Sequence, residues 1–223
     1  MKNLIESYDS KNDIHYIYKL SAKGGKAPTI IVLHGAGSRG NDFGPLRDNP
    51  FFNLIDDLPE FNCYVPQCRT DTWFDCFERL QGFIRDIYES ETTEKERFFC
   101  MGPSMGGYAT WQIGMSMPEL FAAIVPICGG GMYWNTERLK DVPVWAFHGQ
   151  KDNIVFCDES RKLVDKINFY GGNAKLTVYP DIGHDAWVPT YKSGEVFKWM
   201  LEQKKTVTEK VDGNGMIDPS IFG

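Results

Sequence analysis

Short apolar runs alternate with longer amphipathic segments along this chain of 223 residues. The runs are bounded by Gly, Pro or charged residues and are rich in β-branched and aromatic side chains. They lack strict alternation, which is typical of strands whose two faces are both covered in a parallel sheet. Six runs predict buried strands, at residues 29–35, 63–67, 97–102, 121–128, 143–149 and 175–180. Residues 14–20, IHYIYKL, predict an antiparallel strand at one edge.

The segments between these runs have helical periodicity. Residues 73–91 place apolar side chains at intervals of three and four, and residues 157–172 repeat the arrangement and close with Gly171, a residue suited to the end of a helix. Residues 190–204 predict the last helix. Alternating strands and helices predict an α/β fold, a doubly wound and mostly parallel sheet with helices on both faces and right-handed crossovers.

The size and charge of the chain restrict its organisation and partners. The length fits one domain, which we place at residues 1–203, followed by a C-terminal tail at residues 204–223. The net charge of -6 argues against a nucleic-acid or anionic-membrane partner, because such partners select basic patches. No signal-like or membrane-spanning run is apparent, so we expect a cytoplasmic protein. The six cysteines then predict reduced, buried thiols, with a Cys68–Cys76 disulfide as the alternative. The sequence does not indicate an oligomeric state.

Several unusual residues come directly after predicted strands. In doubly wound sheets the functional crevice lies beyond the carboxyl ends of the strands, so these residues are expected to gather at one edge. The set comprises the segment His34-Gly35-Ala36-Gly37, Ser104, the three glycines at residues 129–131, Asp152 and His184.

Ser104 lies in the pattern GPSMG, which by itself arises easily by chance. Its context is more specific, since the strand-like RFFCMG precedes it and the helix-like MGGYATWQIGM comes after it. A sharp turn from strand to helix is what a nucleophile elbow requires. Bulky side chains at Gly102 or Gly106 would collide with neighbouring elements. Ser104 is therefore predicted to be a catalytic nucleophile.

A serine hydroxyl is a weak nucleophile and needs a general base. His184 is the best candidate because it lies on a loop between the last strand and the last helix. His34 and His148 each end a strand before a glycine and more readily shape loops through hydrogen bonds, while His15 lies in the edge strand.

The base in turn needs an acid to fix its tautomer. Asp152 lies just past the preceding strand, which gives the order Ser, Asp, His along the chain that α/β-hydrolases have. The neighbouring acids are interpreted as helix caps or solvated charges: Asp158, Asp181 and Asp185.

A developing oxyanion needs hydrogen-bond donors already in position. The Met105 backbone N–H at the helix start is one predicted donor, and the Ala36 N–H in HGAGSRGND is the other, with Gly37 as the nearest alternative. A phosphate-binding loop is the rival interpretation of this segment. It lacks the Lys and Ser/Thr of a P-loop and does not fit the dinucleotide-binding pattern.

Together the motifs LHGAGSRG, TWFD, GPSMGG, PELFAAIVPICGG, PVWAFHGQKDNIV and YPDIGHDAW resemble the α/β-hydrolase superfamily, in its phospholipase/carboxylesterase and dienelactone-hydrolase-like branch. The resemblance covers about residues 28–201. It implies Ser104, Asp152 and His184 as a catalytic triad and esters or thioesters as substrates. Dienelactone hydrolases proper carry a cysteine nucleophile, whereas this elbow holds serine, which argues against a dienelactone substrate.

The predicted pocket is open, since residues 129–142 are too few for a helical lid domain. Trp73, Trp134 and Trp187 lie on loops at the predicted active edge, together with Met132 and Tyr133. They either line a pocket for an acyl or aryl group or pack the loops onto the sheet.

The resulting hypothesis is a serine carboxylesterase that hydrolyses small soluble carboxylic esters, with short acyl, aryl, feruloyl or acetyl-sugar groups, through an acyl-enzyme intermediate. The alternatives are an acyltransferase, a thioesterase or a peptidase with the same triad, or a non-catalytic binding protein on the same scaffold. No cofactor or metal is predicted. The tail segment VDGNGMID resembles a calcium loop, but Lys210 and Ile221 would then occupy its first and last ligand positions, so a calcium site is rejected.

Overall fold

The computed structural model describes residues 4–205, and an eight-stranded sheet runs through them. The strand order is β1-β2-β4-β3-β5-β6-β7-β8. β1 pairs antiparallel with β2 and β2 with β4, whereas all pairings from β4 to β8 are parallel. The strands are β1 (Ile5–Asp9), β2 (Ile14–Lys19), β3 (Ala27–Val32), β4 (Asn62–Pro66), β5 (Thr93–Pro103), β6 (Ala123–Ile127), β7 (Val144–Gly149) and β8 (Ala174–Tyr179).

Every strand predicted from an apolar run is therefore present, and so is the antiparallel strand at residues 14–20. The additional strand β1 was not predicted. Its sequence, IESYD, is largely polar and exposed, so it has no hydrophobic signal. It pairs with β2 alone, and Glu6 also accepts hydrogen bonds from Arg47.

Helices cover both faces of the sheet. They are α1 (Gly44–Arg47), α2 (Phe77–Glu89), α3 (Met105–Ser116), α4 (Cys157–Phe169), α5 (Trp187–Ser193) and α6 (Glu195–Glu202), with 3₁₀ helices at Ala36–Ser38, Pro50–Asn53, Ile55–Asp57, Trp73–Cys76 and Tyr133–Leu139. One apolar cluster joins α2, α3 and α4 to the sheet, and a second joins α1, α5 and α6 to the other face. In β3, Ile31 belongs to the first cluster while Ile30 and Val32 belong to the second, because successive strand side chains point to opposite faces.

Two glycines determine where the C-terminal helices end. Gly171 has a φ of 79° and comes just after α4, and the amide of Gly172 donates to the Ile167 carbonyl over 3.0 Å. This is the Schellman arrangement expected at such a glycine. Gly194 has a φ of 67° and separates α5 from α6. The single last helix predicted at residues 190–204 is therefore wrong, because the left-handed backbone at Gly194 redirects the chain.

Between β6 and β7 the chain forms only the short 3₁₀ helix Tyr133–Leu139, in agreement with the predicted lidless fold. All six cysteines are free and buried. Within residues 4–205, no helix is long and apolar enough to cross a membrane. At the end of this range, the Lys205 amide donates to the Glu96 carbonyl over 2.9 Å. The rest of the predicted tail, with its calcium-like segment, lies outside the described residues.

Candidate active site

Ser104 lies in the turn between β5 and α3, as the sequence predicts. Its backbone has a φ of 56° and a ψ of -121°, a combination that a residue with a Cβ rarely adopts. The Ser104 amide donates to the Ile127 carbonyl of β6 over 2.9 Å. The turn is thus anchored to the neighbouring strand while it carries backbone strain, as in a nucleophile elbow.

Two glycines of the motif have no room for a side chain. A Cβ at Gly106 would lie 1.8 Å from the Leu33 carbonyl oxygen, and one at Gly102 would lie 2.3 Å from the same atom. The end of β3 therefore packs directly against the backbone of the elbow. The collision predicted from the sequence has a specific partner, the Leu33 carbonyl.

Three predicted side chains meet beside the elbow. His184 Nε2 lies 2.8 Å from Ser104 Oγ, and His184 Nδ1 lies 2.8 Å from Asp152 Oδ2. Asp152 comes after β7 and His184 after β8, so each residue reaches the site from the carboxyl end of a parallel strand. With Nδ1–H donated to Asp152, Nε2 is the acceptor for the Ser104 hydroxyl proton.

Both oxygens of the buried Asp152 carboxylate have hydrogen-bond partners. Its Oδ1 accepts hydrogen bonds from the amides of Ile154, at 2.9 Å, and Val155, at 3.0 Å, while Oδ2 faces His184. Burial by itself would raise the pKa of Asp152. The hydrogen bonds from His184 and from the two amides outweigh it and hold that pKa below its usual value. Asp152 is therefore ionised at neutral pH.

His34 is buried where β3 ends. Its Nε2 accepts from the Cys68 amide over 2.9 Å, so the ring proton is on Nδ1, which donates to the Gly35 carbonyl at 2.7 Å. Burial lowers the pKa of His34 to about 4. This neutral ring braces the loop that carries Ala36, the loop-shaping role that the sequence indicated.

His148, where β7 ends, is buried as well. Its Nε2 donates to the Val155 carbonyl over 2.9 Å and lies 3.2 Å from Asp152 Oδ2. Burial lowers the pKa of His148. The sequence indicated a loop-shaping histidine but not its contact with Asp152.

The two predicted oxyanion donors each lie at the start of a helical segment. Met105 is the first residue of α3 and Ala36 the first of a 3₁₀ helix, so neither amide has a hydrogen-bond partner within its own helix. Gly35 lies against the elbow, since a Cβ there would be 3.6 Å from Ser104 Cβ. Arg39 Nε donates to the Ala36 carbonyl over 2.9 Å and helps to hold this turn.

A cavity of about 410 Å³ opens at Ser104 and His184. Its walls are mostly apolar, and Trp187 lies edge-to-face against the His184 ring at 5.7 Å. Four lining residues gave no signal in the sequence, because Asn49 and Pro50 lie beyond the HGAGSRGND motif and because Ile154 and Tyr191 resemble ordinary apolar residues. The cavity is lined by residues 35–38, Asn49, Pro50, Pro103, Ser104, Ile154, His184, Trp187 and Tyr191.

Of the three tryptophans predicted to bind substrate, only Trp187 lines this cavity. Trp73 is 0% exposed and its Nε1 donates to the His34 carbonyl over 3.0 Å. The predicted binding role of Trp73 is therefore replaced by a packing role, since the ring has no surface to offer a substrate. Trp134 is 65% exposed on the 3₁₀ helix after β6 and does not line the cavity.

Within residues 4–205, one group of side chains has donor atoms close enough to hold a metal ion. The donor atoms of Cys128, Asp152 and His184 all lie within 4.8 Å of one another. Both His184 nitrogens and both Asp152 oxygens already have hydrogen-bond partners, and burial raises the pKa of the Cys128 thiol. The arrangement fits proton transfer between Ser104, His184 and Asp152 better than metal coordination.

A mostly parallel eight-stranded sheet, with a strained serine after its central strand and an acid and a histidine after later strands, defines an α/β-hydrolase. The model of the dienelactone hydrolase family matches residues 68–206. The chain belongs to this family and is a hydrolase, as the motifs predict.

Individual proteins agree with this assignment. A thermostable esterase is 31% identical in sequence and superposes with a TM-score of 0.76 over 91% of this chain, which spans 63% of that esterase. Est1E from Butyrivibrio proteoclasticus is 12% identical, with a TM-score of 0.68 over 91% of this chain and 100% of its own, and so shares the fold. Acyl-protein thioesterase 1 from Gibberella zeae is 22% identical over 71% of this chain and 83% of its own.

Proposed function

We propose that this hydrolase is a serine carboxylesterase that cleaves small carboxylic esters through an acyl-enzyme intermediate, with Ser104, His184 and Asp152 as its triad. The observation that carries the proposal is the pair of 2.8 Å contacts that link Ser104 Oγ to His184 and His184 to Asp152, at the mouth of the cavity. A nucleophile within hydrogen-bond reach of a base, which is itself oriented by an acid, is the geometry that acyl transfer requires.

In the first half of the reaction, Ser104 Oγ attacks the ester carbonyl carbon and its proton passes to His184 Nε2. The resulting imidazolium faces the ionised carboxylate of Asp152, which stabilises the new positive charge. His184 then gives the proton to the leaving alkoxide as the carbon–oxygen bond breaks. Ser104 is left as an ester of the acyl group.

The carbonyl oxygen becomes negative while four groups surround the carbon. The amides of Met105 and Ala36 are the donors proposed for this oxyanion, with Gly37 as the nearest alternative to Ala36. Met105 N–H also lies at the positive end of the α3 dipole. Loss of one such donor typically lowers kcat about a hundred- to a thousandfold.

In the second half, His184 removes a proton from water, and the hydroxide attacks the acyl-enzyme carbonyl. The same amides stabilise the second oxyanion, and the proton returns to Ser104 Oγ as the carboxylic acid leaves. The proton transfers centre on Ser104, His184 and Asp152, which already contact one another. No cofactor or metal enters the proposal.

The cavity supports a small substrate. A volume of about 410 Å³ is near the lower end of the roughly 300–1,000 Å³ typical of ligand sites. Trp187, Pro50 and Ile154 give it apolar walls suited to a short acyl chain or an aryl ring. Feruloyl and acetyl-sugar esters belong to this class.

Thioesters are the second candidate substrates. The similarity to acyl-protein thioesterase 1 favours them, and the same acyl-enzyme would form from either substrate, since only the leaving atom differs. Acyl transfer to alcohols or amines would use the same intermediate, and added acceptors would reveal it in the products.

The test is a panel of p-nitrophenyl esters of rising acyl length and aryl esters, with butyryl thioesters alongside. Wild type should hydrolyse acetate and butyrate esters faster than long-chain ones. Ser104→Ala should lose nearly all turnover while its unfolding curve stays like that of wild type. Ser116→Ala, at the last residue of the same helix, should retain full activity. Wild-type turnover by Ser104→Ala would refute the proposal.

A further inference from the structure

A second histidine, which does not line the cavity, contacts the proposed triad. His148 has no exposed surface, and its Nε2 lies 3.2 Å from Asp152 Oδ2, the oxygen that also receives His184 Nδ1 at 2.8 Å. Two imidazoles therefore share one carboxylate oxygen. Only one of them, His184, reaches Ser104.

The neighbours of His148 determine where its proton lies. Nε2 faces the Val155 carbonyl, at 2.9 Å, and Asp152 Oδ2, and both groups only accept hydrogen bonds. The proton of a neutral His148 is therefore on Nε2. The single hydroxyl proton of Ser160 is shared between His148 Nδ1, 2.8 Å from Oγ, and the Gly129 carbonyl, 3.1 Å from Oγ. The positive edge of the ring is thus directed at the loop that carries Asp152.

His148 also closes the loop between residues 152 and 155. The Val155 carbonyl accepts from His148, while the Val155 amide donates to Asp152 Oδ1 over 3.0 Å. Val155 is therefore held at its carbonyl by His148 and at its amide by the Asp152 carboxylate. Rotation of the carboxylate would have to break at least one of these contacts.

We propose that His148 is a positioning residue of the triad. Its Nε2–H, which donates to the Val155 carbonyl and lies against Oδ2, holds the loop of Asp152, fixes the orientation of the carboxylate and offsets part of its negative charge. This inference rests on the proposed function. His148 acts through Asp152 and does not line the substrate cavity.

Few other titratable groups act on this pair. The charges that act on His148 are those of Asp152 and His184. The exposed carboxylate of Asp185 comes next to His184 along the loop. Three further groups within reach of the Asp152 charge have raised pKa values because they are buried, and so remain neutral in the neutral range: Cys128 after β6, Cys157 of α4 and Tyr108 of α3.

The experiment compares His148→Phe, which removes the donor, with His148→Gln, whose side-chain amide restores an N–H near the Nε2 position. For His148→Phe we expect kcat for p-nitrophenyl acetate to fall about ten- to a hundredfold with KM unchanged, as for loss of one charge-assisted hydrogen bond. The midpoint of the acidic limb of the kcat/KM profile should rise, since Oδ2 then keeps more of its negative charge beside the general base. His148→Gln should recover most of both changes.

Ser160→Ala is the matched control on the other ring nitrogen. It removes the partner of Nδ1 and leaves Nε2–H against Asp152, so it should leave the acidic limb where wild type has it. Urea unfolding of all three variants measures how much each substitution lowers the free energy of unfolding. An acidic limb that moves equally in Ser160→Ala and His148→Phe would overturn the proposal.

A spectroscopic measurement keeps this inference separate from the proposed function. The proton between His184 Nδ1 and Asp152 resonates far downfield in proton NMR, and its position reports the carboxylate without any substrate. We expect it to shift in His148→Phe, to return in His148→Gln and to stay in place in Ser160→Ala. An unchanged resonance in His148→Phe would overturn the role of His148, whereas activity that survives in Ser104→Ala would overturn the proposed function instead.

Discussion

A buried histidine followed by a glycine lies just past the end of β3 and again at the end of β7, yet the two pairs serve different parts of the site. The ring nitrogens of His34 bond only to backbone, the Gly35 carbonyl and the Cys68 amide, and so hold the turn that presents the Ala36 amide. His148 contacts the Val155 carbonyl, Ser160 and the Asp152 carboxylate. Similar dipeptides at equivalent strand ends therefore support different chemistry.

The difference arises from the residues that come after each dipeptide. Beyond His34 the chain forms the 3₁₀ helix Ala36–Ser38, whose residues line the cavity. Beyond His148 a turn ends in Asp152, whose carboxylate accepts two amides of its own loop and then reaches His184. Burial keeps both rings neutral, so neither competes with His184 for a proton. In the proposed mechanism, the first loop polarises the carbonyl and the second positions the groups that transfer protons.

The largest effect is expected from a substitution that disables proton transfer while it preserves the geometry of the Asp152 loop. In Asp152→Asn the amide oxygen can still accept from Ile154 and Val155, but an N–H then faces His184 and favours the wrong tautomer. We expect kcat to fall about a thousand- to ten-thousandfold. Steady-state hydrolysis of p-nitrophenyl acetate measures it.

Asp181→Asn is the control for this change, because Asp181 is exposed and pairs only with Lys151 at 2.7 Å. It should keep wild-type kinetics. Asp152→Asn turnover within tenfold of wild type would remove the distinction between the two loops.

The next effect tests how closely the loop after β3 packs on the elbow. Gly106→Ala places a methyl group 1.8 Å from the Leu33 carbonyl oxygen, so we expect a loss of at least about 3 kcal/mol in unfolding free energy by urea titration. Gly37→Ala adds a methyl group with no atom within 4 Å and should change stability by less than about 1 kcal/mol. Equal losses would show that contact with the elbow does not constrain this loop.

The third effect concerns stability and pH. Unfolded His34 takes up a proton below its ordinary pKa of 6.5, whereas the folded ring does so only near 4. The unfolded chain therefore binds more protons between these values, and this group removes about 3 kcal/mol of unfolding free energy as the pH falls from 6.5 to 4. The lowered pKa of His148 adds a loss of the same sign.

Urea titrations at several pH values measure this slope. His34→Gln cannot take up a proton and should show a shallower decline than wild type. A decline as steep as that of wild type would contradict a buried neutral His34.

The smallest effect distinguishes Trp187, which lines the cavity, from Trp134, which does not. Trp187→Ala removes a cavity wall beside His184 and should raise KM for aryl esters several-fold, about 1 kcal/mol of binding. Trp134→Ala, whose ring lies outside the cavity, should leave KM unchanged. A raised KM in Trp134→Ala with an unchanged KM in Trp187→Ala would instead place the acyl-binding site at the segment after β6.

The fold was predictable because its strands carry a strong local signal. Buried runs such as residues 97–102 are apolar, and short loops leave few topologies. β1 was missed because backbone pairing needs no hydrophobic residue, and the last helix was predicted as one because nothing in the sequence specifies that Gly194 adopts a left-handed backbone.

The three residues of the proposed triad could be predicted because each comes after a strand at the same edge of the sheet. The aromatic walls could not, because a tryptophan on a loop can face either the pocket or the core. Trp73 is buried in the core and its indole N–H donates to the His34 carbonyl, whereas Trp187 lines the cavity. The contact between His148 and Asp152 was also missed, since it depends on how a four-residue turn folds back.

Covalent trapping tests the central claim, that Ser104 is a nucleophile activated by His184, most directly. The protein is treated with a fluorophosphonate probe, digested, and the adduct located by peptide mass spectrometry. We predict one adduct, on Ser104, which His184→Ala strongly slows and Ser104→Ala abolishes. An adduct on any other residue, or equal labelling of wild type and Ser104→Ala, would contradict the claim.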